Sequence, residues 1–456
     1  MFALTNTTVF RLVLAAVLLA PLPLGGNRPW AWSLLAVTVA VLLLLWCLGV
    51  LAGKARAPVP PGRLWMAIVP FALVLLWAFV QTLDLVPRAG WHPLWAEAAT
   101  ALGQPVAGGV SVDPEMSRTA LMRLLCYGGV FWLAVQLGRE RSRAREALVA
   151  VAVAGAVYAS YGLIVHFSES ERILWLEKWT YIGDVTATFV SRNAYGGYAG
   201  LGALCCVALF LHALRPPRAG ETRRAYDLTE LVMVRALPFL MGAVVIGSAL
   251  LLSHSRGAFL STGGGLLALI LAVLAGRIVR PRTAIILGVV LGAIGITVLG
   301  VSGEETVKRL ADTTSDVRTD LFRLTVDAVE DAPWTGHGFG AFLPAFRMYR
   351  DASLAADLVW DFAHNVHLEF AMDLGLPAAV LMYLSLATVV AVCLHGLVRR
   401  RRDQIYPAVA VAGATLTGLH GIVDFSPQMP AVAVTLALLL GIGCAQSWRT
   451  AEGGTP

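Results

Sequence analysis

The sequence predicts an all-α, polytopic membrane protein of about twelve spanning helices. Three observations carry this. The first is composition: 57% of the 456 residues are hydrophobic and 14% are charged. Soluble domains run at about 45–50% and about 25%. The second is run length: many apolar stretches approach or exceed the ~20 residues that cross ~30 Å of hydrocarbon. The third is charge placement: Lys and Arg gather in every second short loop, as membrane topology requires.

The spans fall at 9–25, 31–52, 63–82, 118–138, 147–167, 190–214, 236–253, 257–276, 283–301, 364–396, 405–422 and 430–447. The N-terminal run carries Arg11 but no basic cluster and no small-x-small cleavage site, so it reads as the first membrane helix. Lys54, Arg56 and Arg63 fill the second loop, and Arg139, Arg141, Arg143 and Arg145 the fourth. Arg215, Arg218, Arg223, Arg224 and Arg235 fill the sixth, Arg277, Arg280 and Arg282 the eighth, and Arg399 to Arg402 the tenth. These loops and both termini are expected in the cytoplasm. The chain then divides into helices one to nine (1–301), one long outer loop (302–363), and helices ten to twelve with a cytoplasmic tail (364–456).

The net charge of +6 sits mostly in these loops. It reads as topology rather than a nucleic-acid surface, and no nucleic-acid-binding pattern is present. Six cysteines all lie in apolar runs without metal-ligand spacing, which points to packing and not to a disulfide framework.

The long outer loop is mixed in charge. Val317, Leu321, Leu324 and Ala328 recur at helical spacing within 315–331, which predicts an amphipathic helix at the outer surface. Pro333 ends it. GHGFGAF follows, with glycines for a tight turn and no preceding strand to make it a phosphate loop.

The stretch 361–378, DFAHNVHLEFAMDLGLPA, concentrates ionisable groups at the start of the tenth span. A helix from about His364 would align Asn365, Glu369 and Asp373 on one stripe, with His364 and His367 on an adjacent face. Such groups at a membrane boundary cost several kcal/mol each and mark candidate sites. Arg192, in SRNAYGGY, and Arg256, in SHSRG, lie on the outer side against the positive-inside bias. The plain alternative is snorkelling to the headgroups. Asp361, His364 and His367 share metal-ligand spacing, but one helix face rarely supplies three convergent ligands, and no metal or other cofactor is expected. His337 and His254 read as local hydrogen-bond partners. Asp424 reads as an outer cap or a partner of Arg192 or Arg256. Arg318 and Arg323 face either a cavity or solvent.

These motifs together resemble the O-antigen ligase and polymerase superfamily of bacterial membrane glycosyltransferases. The ligase motif is His, then Asn, Ser or Gln, nine residues, Gly, two residues, then Gly, Thr or Tyr. Here His364 and Asn365 are followed by nine residues, Gly375, two residues and Ala378. The last position departs from the motif. SRNAYGGY, SHSRG, DAPWTGHGFGAF and DFSPQMP fit the same resemblance, which covers most of the chain.

The resemblance implies a GT-C-like all-α fold in the bacterial inner membrane, with the active site facing the periplasm. It implies transfer of a glycan from an undecaprenyl-diphosphate carrier to a glycan or lipid A–core acceptor, without metal. By position, Arg192 and Arg256 would hold the diphosphate and His364 would act on the acceptor. Asn365, Arg318 and Asp424 are the further substrate-binding candidates. The residue types suit this chemistry. Arginine forks bind phosphate oxygens and stay charged. A neutral imidazole near pH 7 can take a hydroxyl proton. Ligase and polymerase both remain open: Ala378 and DFSPQMP lean to polymerase, and the His-Asn spacing leans to ligase. A transporter of a lipid-linked or anionic solute is the alternative of another class. It would place ionisable groups near the midplane and show internal repeats, whereas this chain gathers them at one face.

Overall fold

A computed structural model of the protein describes residues 5–214, 236–279, 282, 289, 314–354 and 359–448. The ninth expected span, 283–301, and the arginines of the sixth loop lie outside the described residues. The chain is an all-α polytopic membrane protein: eight described helices are long and apolar enough to cross a bilayer, and two shorter apolar helices accompany them.

In order these are α1 (Asn6–Leu19), α2 (Pro29–Leu51), α3 (Trp65–Val80), the short α4 (Leu94–Leu102), α5 (Pro114–Leu137) and α6 (Arg141–Phe167). After a two-residue ribbon, Arg172–Ile173 with Leu176–Glu177, come α7 (Arg192–Ala213), α8 (Leu237–Leu252) and α9 (Arg256–Ala275). The loop helices are α10 (Thr314–Asp331) and α11 (Phe342–Phe346). Then follow α12 (Val366–Leu374), α13 (Leu376–Arg399), α14 (Ile405–Gly421) and α15 (Pro430–Ser447).

Helices α7 and α15 form the buried centre. In α7 the sequence YGGYAGLGALCC explains this, because small residues let backbones approach closely where hydrophobic burial gives no drive between helices in lipid. At Gly202 a Cβ would lie 3.2 Å from the Cα of Gly155 in α6, so glycine at both positions permits the contact. Helix α14 packs against α7, α9, α13 and α15, and so separates the α7–α9 side of the bundle from the α13 side.

The described basic loops meet at one end. Asn6 donates to the Arg56 carbonyl at 3.0 Å, Arg139 donates to the Ala445 and Trp448 carbonyls at 2.8 and 2.7 Å, and Arg141 pairs with Asp403 at 2.7 Å. The predicted outer loops meet at the other end. Thr188 donates to the Pro21 carbonyl at 2.8 Å, Gln81 to the Thr335 carbonyl at 2.8 Å, and Asn193 to Asp424 at 2.6 Å. The alternation read from loop charge is thus a property of the fold.

Two expectations need correction. The tenth span is not one helix over 364–396. It breaks at Gly375, whose φ of 77° and ψ of 157° are open essentially to glycine alone. Backbone packing forces the break, since a Cβ there would lie 2.6 Å from the Trp334 carbonyl oxygen. The loop helix α10 forms as predicted, but its apolar stripe does not rest on a lipid surface. Leu321, Leu324 and Ala328 are buried against Phe342, Phe346 and Met372, so α10 covers α12.

GHGFGAF is a clip over α12. His337 and Gly338 donate backbone N–H groups to the Met372 and Asp373 carbonyls at 2.9 and 3.0 Å, and Gly340 donates to the Asp373 carboxylate at 2.7 Å. The N–H groups a phosphate would need are already used.

His337 also joins two loops. Its Nε2 lies 2.8 Å from the Ala328 carbonyl, and its Nδ1 lies 2.9 Å from Nε2 of His92. The Leu94 amide donates to His92 Nδ1 at 3.3 Å. These partners fix both rings as neutral Nε2–H tautomers, since a proton on either Nδ1 would face another N–H donor. Burial, with the charge of His337 second, lowers the His92 pKa from 6.5 to about 4. Burial likewise lowers that of His337, against smaller opposing effects of Ala328 and Asp331. Below 6.5 the unfolded rings bind protons that the folded pair refuses, so the stabilisation is full above that value and is lost as pH falls toward about 4. The melting temperature of the purified protein is expected to drop across that window. His92→Gln should flatten the drop; an unchanged pH slope in that variant would remove the pair as its cause.

Candidate functional site

Helices α7 and α9 begin alike. Each opens on Ser-Arg, with the serine as N-cap: Ser191 accepts from the Ala194 amide at 3.3 Å and Ser255 from the Ala258 amide at 3.4 Å. Arg192 and Arg256 are therefore the first residues of two helices whose N-termini are neighbours. Ser255 donates to the Asn193 side chain at 2.7 Å, and a Cβ at Gly196 would collide with Ala258. Helix N-termini carry unpaired N–H groups and partial positive charge, so two of them, each beginning with an arginine, are suited to an anion.

Arg192 is held in place. Its Nη1 pairs with Asp184 at 2.7 Å, and its guanidinium lies over the Tyr181 ring at 5.3 Å. Its buried Nε has no hydrogen-bond partner among the described residues. The other oxygen of Asp184 lies 2.7 Å from Nδ1 of His254, so one carboxylate links the first residue of α7 to the turn that leads into α9. Asp184 and His254 thus position the arginine side, and the reading of His254 as a local partner holds.

His364 sits in the loop just before α12 and not on its face, because the helix starts two residues later. Asn365 is the N-cap: its Oδ1 accepts from the amides of His367 and Leu368 at 3.0 and 3.1 Å. That cap consumes the oxygen assigned to substrate. His364 has φ of +53°, a left-handed conformation that costs a non-glycine residue of order 1 kcal/mol and draws attention where it persists. Its ring packs edge-on to Phe425 and Trp360, with centroids 5.0 and 5.9 Å away. Glu369 holds the loop by accepting from the Ala363 amide at 2.8 Å.

The acid that faces His364 is Asp424, not Asp361 or Glu369. His364 Nδ1 lies 3.8 Å from Asp424 Oδ2, and Asp361 is exposed. Asp424 is buried at 1% exposure in the turn between α14 and α15. It accepts from the side chain of Asn193 at 2.6 Å and from both the amide and the hydroxyl of Ser426. Burial alone would raise its pKa; His364, His420 and Ser426 more than offset this and hold the carboxyl below its ordinary value. A continuous set of contacts therefore runs His364, Asp424, Asn193, Ser255, joining the four motif segments at one point.

The remaining candidates separate. Arg323 is exposed and pairs with Asp351 at 2.9 Å, a surface arrangement. Arg318 is exposed, yet near enough for its charge to act on His420, next to Asp424. His367 lies on the other side of the loop from His364: Nδ1 is 2.6 Å from the Tyr383 hydroxyl and Nε2 is 3.0 Å from the Gly418 carbonyl. His364 and His367 thus face different partners, and among the described residues no three His, Cys, Asp or Glu side chains form a group that could hold a metal ion.

The family model described as O-antigen ligase matches residues 241–383. This segment is similar to O-antigen ligases. No curated protein matches the chain. The similarity supports a function of the O-antigen ligase or polymerase type. The matched segment contains Arg256, Arg318 and His364. Arg192 and Asp424 lie before and after it, and the Asn193 bonds to Ser255 and Asp424 tie both flanks to it.

Proposed function

We propose that the protein transfers a glycan from a lipid diphosphate carrier to a sugar hydroxyl. Arg192 and Arg256 hold the diphosphate at the paired N-termini of α7 and α9. His364, faced by Asp424, takes the proton of the attacking hydroxyl. The acceptor oxygen bonds to the anomeric carbon as the bond from that carbon to the diphosphate oxygen breaks. The bonding pair leaves with the diphosphate, whose growing charge the arginines and helix ends stabilise. The displacement inverts the anomeric centre and needs no covalent enzyme intermediate. The site faces the periplasm, opposite the basic loops.

The observation that carries this reading is the convergence of two Ser-Arg helix starts with a histidine–aspartate pair through Asn193. A transporter needs gating around a midplane site, whereas this one is assembled at helix ends. Ligase and polymerase use the same chemistry here and differ in the acceptor. The reading is tested with purified protein reconstituted with a lipid-diphosphate glycan and an acceptor. The expected result is release of lipid diphosphate matched by glycan on the acceptor. Movement of intact donor across the bilayer with no release would instead support the transporter. One product would mark a ligase and a ladder of repeats a polymerase.

A further inference from the structure

A second site lies across α14 from the arginines. It is a cavity of about 870 Å³ walled by α3, α5, α12, α13, α14 and α15, and no residue of α7 or α9 lines it. Its wall is mainly apolar, with Phe71, Phe131, Trp132, Phe370 and Leu436 among the lining side chains. The volume is that of a ligand pocket.

Polar groups break the apolar lining, and two of them, Tyr127 and Asp373, keep buried atoms with no hydrogen-bond partner, with Arg123 beside them. Arg123, in the spanning helix α5, is half-buried; its guanidinium rests over the Trp32 ring at 5.0 Å and its charge acts on Glu369. Tyr127, one turn along the same face, has a buried hydroxyl with no hydrogen-bond partner. Asp373 is 2% exposed, and its Oδ1 has no hydrogen-bond partner, while the other oxygen accepts from Gly340. Buried polar atoms left unpaired cost about 1–3 kcal/mol each, so a site that keeps them is shaped for something that pairs with them. An arginine in a spanning helix carries the same implication.

We propose that this cavity binds a second lipid, the carrier of the acceptor: an apolar chain fills it, a phosphate lies against Arg123 and Tyr127, and a head-group hydroxyl pairs with Asp373. This rests on the glycosyltransferase reading and adds where the acceptor sits. Arg123 suits a phosphate because its fork keeps free N–H donors beside the aromatic face. The geometry directs the head group to His364. Pro427 and Gln428 line the cavity, while Asp424 and Ser426 of the same turn lie at the catalytic side. His367 lines the cavity three residues after His364. A head group emerging past this turn meets the proton acceptor, while the donor diphosphate stays on the far side of α14. Two lipids share this chemistry, a polyprenyl phosphate carrier and an acylated, phosphorylated sugar, and the test separates them.

Full-length protein in nanodiscs is exposed to photoactivatable polyprenyl-phosphate glycan or to photoactivatable lipid A, and the labelled peptides are mapped. One of the two is expected to label α5 and α13; polyprenyl labelling marks a polymerase acceptor, lipid A labelling a ligase acceptor. Arg123→Gln should weaken that lipid by about tenfold, the loss of a charge-assisted contact. Ala414→Trp, which fills the cavity, should abolish the labelling. Both should leave binding of the lipid-diphosphate donor unchanged and raise the acceptor KM. If Ala414→Trp does not fold, Arg123→Gln alone decides. The proposal is overturned if neither lipid labels the cavity, or if labelling is lost in Arg192→Lys but kept in Arg123→Gln. Labelling that persists in a wild-type protein unable to transfer glycan would count against the glycosyltransferase reading and leave the lipid site standing.

Discussion

Replacing His364 by alanine is expected to lower glycan transfer by about 10²–10⁴-fold, the usual contribution of a positioned general base. Donor binding should stay near wild type, because the proposed diphosphate site lies on α7 and α9, two helices that His364 does not belong to. The 3.8 Å between His364 and Asp424 is compatible with this role, since catalytic hydrogen bonds in an unliganded site often tighten only with substrate. Asp424 faces Nδ1, which leaves Nε2 for the acceptor hydroxyl. His367→Ala should cost far less turnover, as both its nitrogens are occupied by Tyr383 and Gly418. The measurement is transfer rate and donor affinity on the same purified samples. Full turnover in His364→Ala, or loss of donor binding there with normal binding in His367→Ala, would move the base elsewhere.

The arginines give the second large effect. Arg192→Lys combined with Arg256→Lys should lower transfer by about 10²–10³-fold, comparable to removing a preorganised charge-stabilising donor. Lysine keeps the charge but loses the planar fork, so the deficit reports geometry and not attraction alone. For Arg192 the loss has a further component, because Asp184 fixes two of the site's segments through Arg192 and His254. Asp184 would then hold a lysine less well in the same orientation. Donor binding and transfer should fall together. A double variant that turns over donor like wild type would rule out bidentate phosphate binding.

The spans were legible because each needs only composition and length. The convergence of Arg192, Arg256 and His364 was legible for a similar reason: loop charge alternation places all three at one end before any contact is known. What stayed hidden depends on tertiary packing. Helical periodicity runs on through DLGLP, and only Gly375 followed by Pro377 marks the turn that the close approach of Trp334 requires. Without that break, His364 falls at the start of a helix rather than in the loop before it. Its actual neighbour, Asp424, is sixty residues on, although DFSPQMP already stood out. Asp184 had no local signal, being one carboxylate in a mixed loop. Arg123 did have one, a lone cation well inside an apolar run, but the run was read only for its length.

The position of Asp424 in the chain also bears on biogenesis. A membrane chain is made from its N-terminus, so α7 and α9 can insert and pair before the α14–α15 turn exists. The carboxylate that faces His364 and bonds Asn193 arrives with the final hairpin. Until that hairpin closes, the arginine end can attract an anion but has no acid opposite the histidine. On the proposed function, a chain lacking this hairpin would keep the arginine end and lose the acid that faces His364, so the last two helices complete the proposed site.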